Sequence, residues 1–182
     1  MPDTIKVLLG GSATVLALVG YVPYFRDIFR GKTKPHAFSW LIWGVLTAIG
    51  YAGQVSDGAG AGAWVTGLTA AVCFFIFALA VFRGEKNITR GDWLCLIFSL
   101  SAIPLWIFTN SPFWSVILIT VIDIVGFLPT FRKSYFKPHE ETAVTYTLSS
   151  VKFGLSILAL QNYSVITVLY PASLVRAKKC SA

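Results

Sequence analysis

The stretch Gly20-Tyr21-Val22-Pro23-Tyr24-Phe25-Arg26 returns far along the chain as Gly126-Phe127-Leu128-Pro129-Thr130-Phe131-Arg132. Both read glycine, aromatic, aliphatic, proline, any residue, phenylalanine, arginine, and both close a long apolar run. A second shared block follows each: Lys34-Pro35-His36 after the first and Lys137-Pro138-His139 after the second. Each of these opens another apolar run, in which Ser39 corresponds to Thr142. The spacing between the paired blocks differs by three residues, which a loop absorbs. Internal repeats dictate architecture, so two copies of one unit set this fold.

The runs around these blocks are membrane-length. Seven spans are expected at 5–29, 37–55, 61–83, 92–109, 112–131, 141–160 and 162–177. A crossing helix needs about 20 apolar residues, so seven use up the 182 residues and leave no soluble domain. The composition agrees: 55% of residues are hydrophobic and 13% charged, with mean hydropathy +0.70. Soluble domains carry about 25% charged residues, so lipid is the solvent this chain fits. The last two spans meet at a short turn near Gln161-Asn162. One continuous helix there would measure about 55 Å, too long for a single crossing. The first run carries Pro23 and leads into a basic loop without a small-residue cleavage site, so it is expected to be a retained span and not a signal peptide. Trp40, Trp64, Trp93, Trp106 and Trp114 fall near span ends, where indole rings favour the membrane interface.

The net charge of +7 would point to nucleic acid in a soluble protein. Its placement excludes that reading. Thirteen of the 15 basic residues fall on one side of the expected spans: Arg26, Arg30, Lys32 and Lys34; Arg83, Lys86 and Arg90; Arg132, Lys133 and Lys137; Arg176, Lys178 and Lys179. Lys6 lies on the other side and Lys152 inside a span. Cytoplasmic loops carry the Lys/Arg excess, which puts the N-terminus outside and the C-terminus in the cytoplasm. A prokaryotic inner membrane is the expected location. Six spans would move the basic tail to the wrong side.

Spans one to three thus repeat as spans five to seven. A three-crossing unit fused directly to its copy would be inverted, so the fourth span restores the parallel direction. The divisions are 1–85 for the first triplet, 86–110 for the linker helix, and 111–182 for the second triplet with its basic tail. Parallel repeats about an axis along the membrane normal are a known transporter plan. This 3+1+3 layout, with a proline near the cytoplasmic end of spans one and five, resembles the PQ-loop superfamily that includes the SWEET sugar transporters. Pro129-Thr130-Phe131-Arg132 resembles the P-T-F segment of SWEET repeats, and His36-Ala37-Phe38-Ser39-Trp40-Leu41-Ile42-Trp43 resembles the opening of the second helix of PQ-loop repeats. The glutamine that follows the family proline is Tyr24 in one copy and Thr130 in the other. The resemblance implies alternating access around a central site, with Pro23 and Pro129 as hinges. A proline inside a helix frees a carbonyl one turn back and kinks the rod, which suits a hinge or a static bend.

Asp123 and Lys152 are the sharpest chemical signal. Each falls near the centre of an expected span, where insertion costs roughly 2.5–3.5 kcal/mol on translocon scales. Opposite charges at similar depth on sequential helices are expected to pair, with an attraction of about 4 kcal/mol at 4 Å before desolvation. Thr142, Thr145, Ser149, Lys152 and Ser156 recur at steps of three and four and form one polar face. Thr120, Asp123 and Thr130 do the same on span five. A polar face must turn toward protein or a wet cavity, because hydrocarbon offers no partners. The matching positions of span two are Ser39, Ile42, Leu46, Ile49 and Gly53, so the pocket is expected to be charged on one wall and apolar on the other. Trp43, Thr47 and Gln54 share a face of span two, and Trp43 aligns with Tyr146.

The expected substrate-binding set is Asp123, Lys152, Ser149, Tyr146, Trp43 and Thr120. The expected ligand is a small polar solute, a sugar or a zwitterion, with proton coupling through Asp123 and a homo-oligomer both left open. A receptor or sorting protein of the same layout is the alternative. Cys73, Cys95 and Cys180 form no framework or metal spacing, and one carboxylate with one amine makes no catalytic set. No cofactor, metal, nucleic acid or enzymatic reaction is expected.

Overall fold

The computed structural model describes residues 2–85, 90–101, 104, 108, 111, 113, 114, 116–123 and 143–179. Among them every regular element is a helix. α1 is Asp3–Phe29, α2 Ala37–Ser56, α3 Trp64–Arg83 behind a 3-10 turn at Gly60–Ala63, α4 Arg90–Leu100, α5 Ala143–Leu158 and α6 Val165–Lys179. Residues 116–123, between α4 and α5, are helical as well. α1, α2 and the stretch Gly60–Arg83 are long and apolar enough to cross a membrane. Shorter apolar stretches, Leu148–Leu158 and Val165–Val175, lie in α5 and α6.

The chain builds these rods for local reasons. Asp3 sits in the first turn of α1, where a carboxylate complements the helix dipole. The helix runs through Pro23 and stops at Gly31, whose φ of 70° suits a residue without Cβ. There Gly31 N–H donates to the Ile28 carbonyl and Lys32 N–H to the Asp27 carbonyl, the paired bonds of a Schellman ending. α2 ends in the same way. Gly58, with φ 69°, donates to Val55, and Ala59 donates to Gln54. α5 and α6 are separated by a turn over 159–164, so the chain doubles back there and does not continue as one rod.

Packing brings the rods close through small residues, a device that suits helices in lipid. A Cβ on Gly10 would lie 2.6 Å from the Ala61 carbonyl oxygen, and one on Gly50 2.6 Å from the Tyr170 ring. Gly53 faces Val116 and Ile166. α2 packs along α3, α1 along α5, and α5 along α6. α4 lies against α2, with Phe38 and Trp93 edge to face at 4.8 Å. Leu46, Ile49, Val65, Val116, Ile119 and Phe153 form the centre of the core. The outer face of α1 exposes Leu8, Val15, Val19 and Val22, a contiguous apolar surface that hydrocarbon covers better than water.

The two ends of the bundle differ in charge. At one end Lys6 donates to the Gln161 carbonyl at 3.4 Å, and the turn between α5 and α6 meets the loop after α2. At the other end Glu85 N–H donates to the Pro35 carbonyl, and Arg83 lies over the Phe29 ring at 5.3 Å. Arg30, Lys32 and Lys34 belong to that second end.

Candidate functional site

Lys152 is 1% exposed. It projects from α5 toward α1 and α3, where its ammonium donates to the Tyr21 hydroxyl at 3.1 Å and the Thr69 hydroxyl at 3.2 Å. The same ammonium stands 4.4 Å from the centre of the Tyr21 ring and 5.0 Å from that of Phe153, so ring faces add to the hydroxyls in stabilising the cation. Ser149, one turn earlier on α5, is buried, and Ser156, one turn later, donates to the Gly62 carbonyl at 2.6 Å. The polar face of α5 therefore turns inward, as hydrocarbon solvation requires.

Asp123 is also 1% exposed. It lies one turn after Ile119, whose side chain meets Gly50 of α2 beside the Tyr170 ring of α6. The Tyr170 hydroxyl of α6 pairs with the Thr47 hydroxyl of α2 at 3.1 Å, and the buried thiol of Cys73 packs in one cluster with Tyr21. The cluster so formed draws Tyr21 from α1, Thr47 from α2, Thr69 and Cys73 from α3, Asp123 from the 116–123 segment, Lys152 from α5 and Tyr170 from α6. A narrow crevice between α1 and α5, lined by Leu16, Ala17, Gly20, Tyr21, Leu148, Ser149 and Lys152, leads toward it and is too tight for a water molecule.

The other sequence-derived residues divide. Thr120 is buried, but its hydroxyl donates to the Val116 carbonyl one turn back at 2.7 Å. That bond satisfies the group within its own helix. Trp43 is half-buried, edge-on to Trp40 at 5.4 Å, where it joins two apolar clusters. Gln54 is fully buried and donates to the Thr167 carbonyl at 3.0 Å. Pro23 lies inside α1, beside Tyr24, whose hydroxyl accepts a bond from Trp40 Nε1 at 3.2 Å. Pro129, Thr130, Thr142 and the second Lys-Pro-His block lie outside the described residues, as do the side chains of Thr145 and Tyr146.

Tyr21, Thr69 and Tyr170 were not in the sequence-derived set. Each left a trace. Tyr21 stands where the second copy has Phe127, so the first copy alone carries a hydroxyl there. Thr66, Thr69 and Cys73 step by three and four along an otherwise apolar span. Tyr170 follows Thr167 at the same interval. Chemically, the cluster offers a cation, a carboxylate and several hydroxyls in a low-dielectric interior, a set that can hold a polar solute by hydrogen bonds and charge. No family model, curated protein or solved structure matches the chain.

Proposed function

We propose that this chain is a membrane transporter that moves a small polar solute, a sugar or a zwitterion, by alternating access between two three-helix bundles. Asp123 and Lys152 line the path near its midpoint. The observation that carries this reading is the burial of both charges, with the Lys152 ammonium held by hydroxyls from the other half of the chain. Buried ionisable groups in membrane-spanning segments mark solute pathways and proton relays more often than packing.

The packing supports a seven-span, 3+1+3 arrangement of the PQ-loop and SWEET kind. α1 lies along α5, while Gly50 and Gly53 of α2 abut Ile119 and Val116 of the 116–123 segment. Exchanging the two triplets turns the first of these contacts into the second. The polar ties obey the same exchange. Thr47 and Gln54 of α2 reach α6, and Lys152 and Ser156 of α5 reach α3 and its leading turn. With Lys6 at one end and the Arg30–Lys34 and Arg83 group at the other, the basic end faces the cytoplasm, of a prokaryotic inner membrane in this reading.

A second reading, a receptor or sorting protein of the same fold, is favoured by one observation: the crevice beside Lys152 is too tight for water. Counterflow in proteoliposomes separates the two. With a panel of radiolabelled monosaccharides and amino acids, the transporter accumulates at least one solute saturably, and Asp123→Asn abolishes that accumulation while the protein stays folded. Normal counterflow in the folded Asp123→Asn protein sinks the assigned role of the carboxylate. Binding without accumulation of any solute favours the receptor.

A further inference from the structure

Two exposed stripes meet on the outside of the bundle. On α1, Leu18, Val22, Phe25 and Phe29 recur at steps of four, three and four, which places them on one face. On α3, Ala71, Phe75, Ala78 and Phe82 recur at the same steps. The stripes join where the Phe25 and Phe75 rings meet edge to face at 5.6 Å. Leu18, Val22, Phe29 and Phe75 are each more than half exposed, and Phe82 is 81% exposed. Each stripe runs over eleven residues, about 16 Å of helix. A hydrocarbon core about 30 Å thick has leaflets of about that depth, so the seam is as long as one leaflet is deep.

The seam ends in cations. Arg83, the residue after Phe82, reaches α1 and holds its guanidinium 5.3 Å from the centre of the Phe29 ring. Arg30 follows Phe29, and Lys32 and Lys34 lie in the loop beyond; all three are exposed. Glu85 N–H donates to the Pro35 carbonyl at 3.1 Å, which ties that loop to the end of α3 and keeps its charges beside Arg83. Among the described residues the acids at this end are Asp27 and Glu85. Asp27 pairs with Arg26 at 3.1 Å, so the basic residues stay in excess. A guanidinium set on a ring face presents planar donors that match a phosphate. The upper half of α1 has no such end. Lys6 is turned to the Gln161 carbonyl and the Tyr163 ring, on the opposite side of the helix from the exposed Leu8 and Val15.

We propose that the seam between α1 and α3 is a binding site for an anionic glycerophospholipid of the leaflet at the basic end, with an acyl chain along the two stripes and the phosphate on Arg83 and Arg30. Charge complementarity selects the occupant. A zwitterionic lipid fits the stripes equally well, but an anionic headgroup gains more from each nearby Lys or Arg. The seam also adjoins the buried cluster. Phe25 lies one turn after Tyr21, with their rings 6.4 Å apart. Tyr21 and Thr69, which hold the Lys152 ammonium, come from the same two helices. A lipid seated there braces α1 against α3 beside the groups that hold the cation. The proposal rests on α1 and α3 crossing a membrane and not on solute movement, so its test stands apart from counterflow.

Native mass spectrometry of the full chain released from detergent micelles gives a dissociation constant for the first bound lipid, with dioleoyl phosphatidylglycerol or dioleoyl phosphatidylcholine as the probe. The anionic lipid is expected to bind at least about fivefold more tightly. Arg83→Gln is expected to weaken it about fivefold, the weight of one basic side chain near an anionic headgroup, and to leave the zwitterionic lipid unchanged. Phe82→Ser weakens both lipids, and Lys6→Gln at the other end changes neither. Equal affinity of wild type and Arg83→Gln for phosphatidylglycerol overturns the site. So does equal affinity for the two lipids, a loss in Lys6→Gln as large as that in Arg83→Gln, or no effect of Phe82→Ser. sn-Glycerol 3-phosphate is expected to leave the lipid in place; displacement at matched concentration retires the lipid as occupant. If Phe82→Ser does not fold, Val22→Ser on the facing stripe decides in its place.

Discussion

Tyr21→Phe removes one oxygen from the Lys152 site and leaves the rest in place. The ring that faces the ammonium at 4.4 Å is kept, and phenylalanine is what the second copy of the repeat already carries at the matching position, Phe127. The loss is the 3.1 Å bond from Lys152 to the hydroxyl. Hydrogen bonds to charged groups contribute about 1.5–3 kcal/mol, and here the donor is a cation with 1% exposure. Thr69 still accepts at 3.2 Å, which argues for the lower half of that range. The expected cost is therefore about 1.5–2 kcal/mol. The assay is a double-mutant cycle on reversible unfolding in mixed micelles, with Lys152→Met as the second change. In the Lys152→Met background the hydroxyl has lost its charged donor, so Tyr21→Phe there is expected to cost under about 0.5 kcal/mol, leaving a coupling of roughly 1–1.5 kcal/mol. Equal costs in the two backgrounds would refute the assignment of Tyr21 as a partner of the cation, whatever the size of the single effect.

Two further substitutions test the surroundings. Gly62→Ala places a Cβ 2.6 Å from Leu160 Cδ2 and 2.9 Å from the Leu160 backbone. Overpacking of that kind costs about 1–3 kcal/mol, whereas Gly11→Ala, inside α1 with nothing within 4 Å, should hold or raise the melting temperature because alanine is the better helix former; equal melting temperatures for the two variants would remove the close contact as a constraint. Thr120→Val deletes a hydroxyl that bonds its own helix at 2.7 Å. It should lower stability by no more than about 1 kcal/mol and leave the apparent affinity of any transported solute unchanged, so a large rise in half-saturating concentration during counterflow would return Thr120 to the binding set.

α1, α2 and α3 were legible because their signals are long. Apolar runs bounded by Arg30-Gly31 and Asp57-Gly58 fix α1 and α2 almost to the residue, and both glycines take the left-handed conformation that ends a helix. The inward turn of the α5 polar face was legible for a similar reason, since Ser149, Lys152 and Ser156 share one helical face. The partners of Lys152 were not legible. They come from α1 and α3, and helical periodicity says which residues share a face without saying which rod that face meets. Tyr21 was further masked because it sits in a motif read for its proline, and aromatic residues in a span are read first as packing. Thr120 failed for the opposite reason. It lies three residues from Asp123 on the same face, yet a threonine can satisfy itself on the carbonyl one turn back, and a pattern of positions does not register that choice.

Under the proposed two-triplet arrangement, the repeat and the polar chemistry separate. Exchange of the triplets relates contacts between rods, such as α1 on α5 and α2 on the 116–123 segment, but it does not relate the reacting groups. Lys152 stands where the first copy has Ile49, Ser156 where it has Gly53, and Phe127 where the first copy has Tyr21. The second copy thus supplies the cation and the first supplies two of the oxygens that hold it. A cation satisfied only by its own triplet would move with it as a rigid body. In the proposed mechanism, a cation on one triplet bonded to hydroxyls of the other would exchange those bonds as the triplets move, and a polar solute is the class of molecule that could replace them. The asymmetry of the two copies is what would make binding and movement depend on one another.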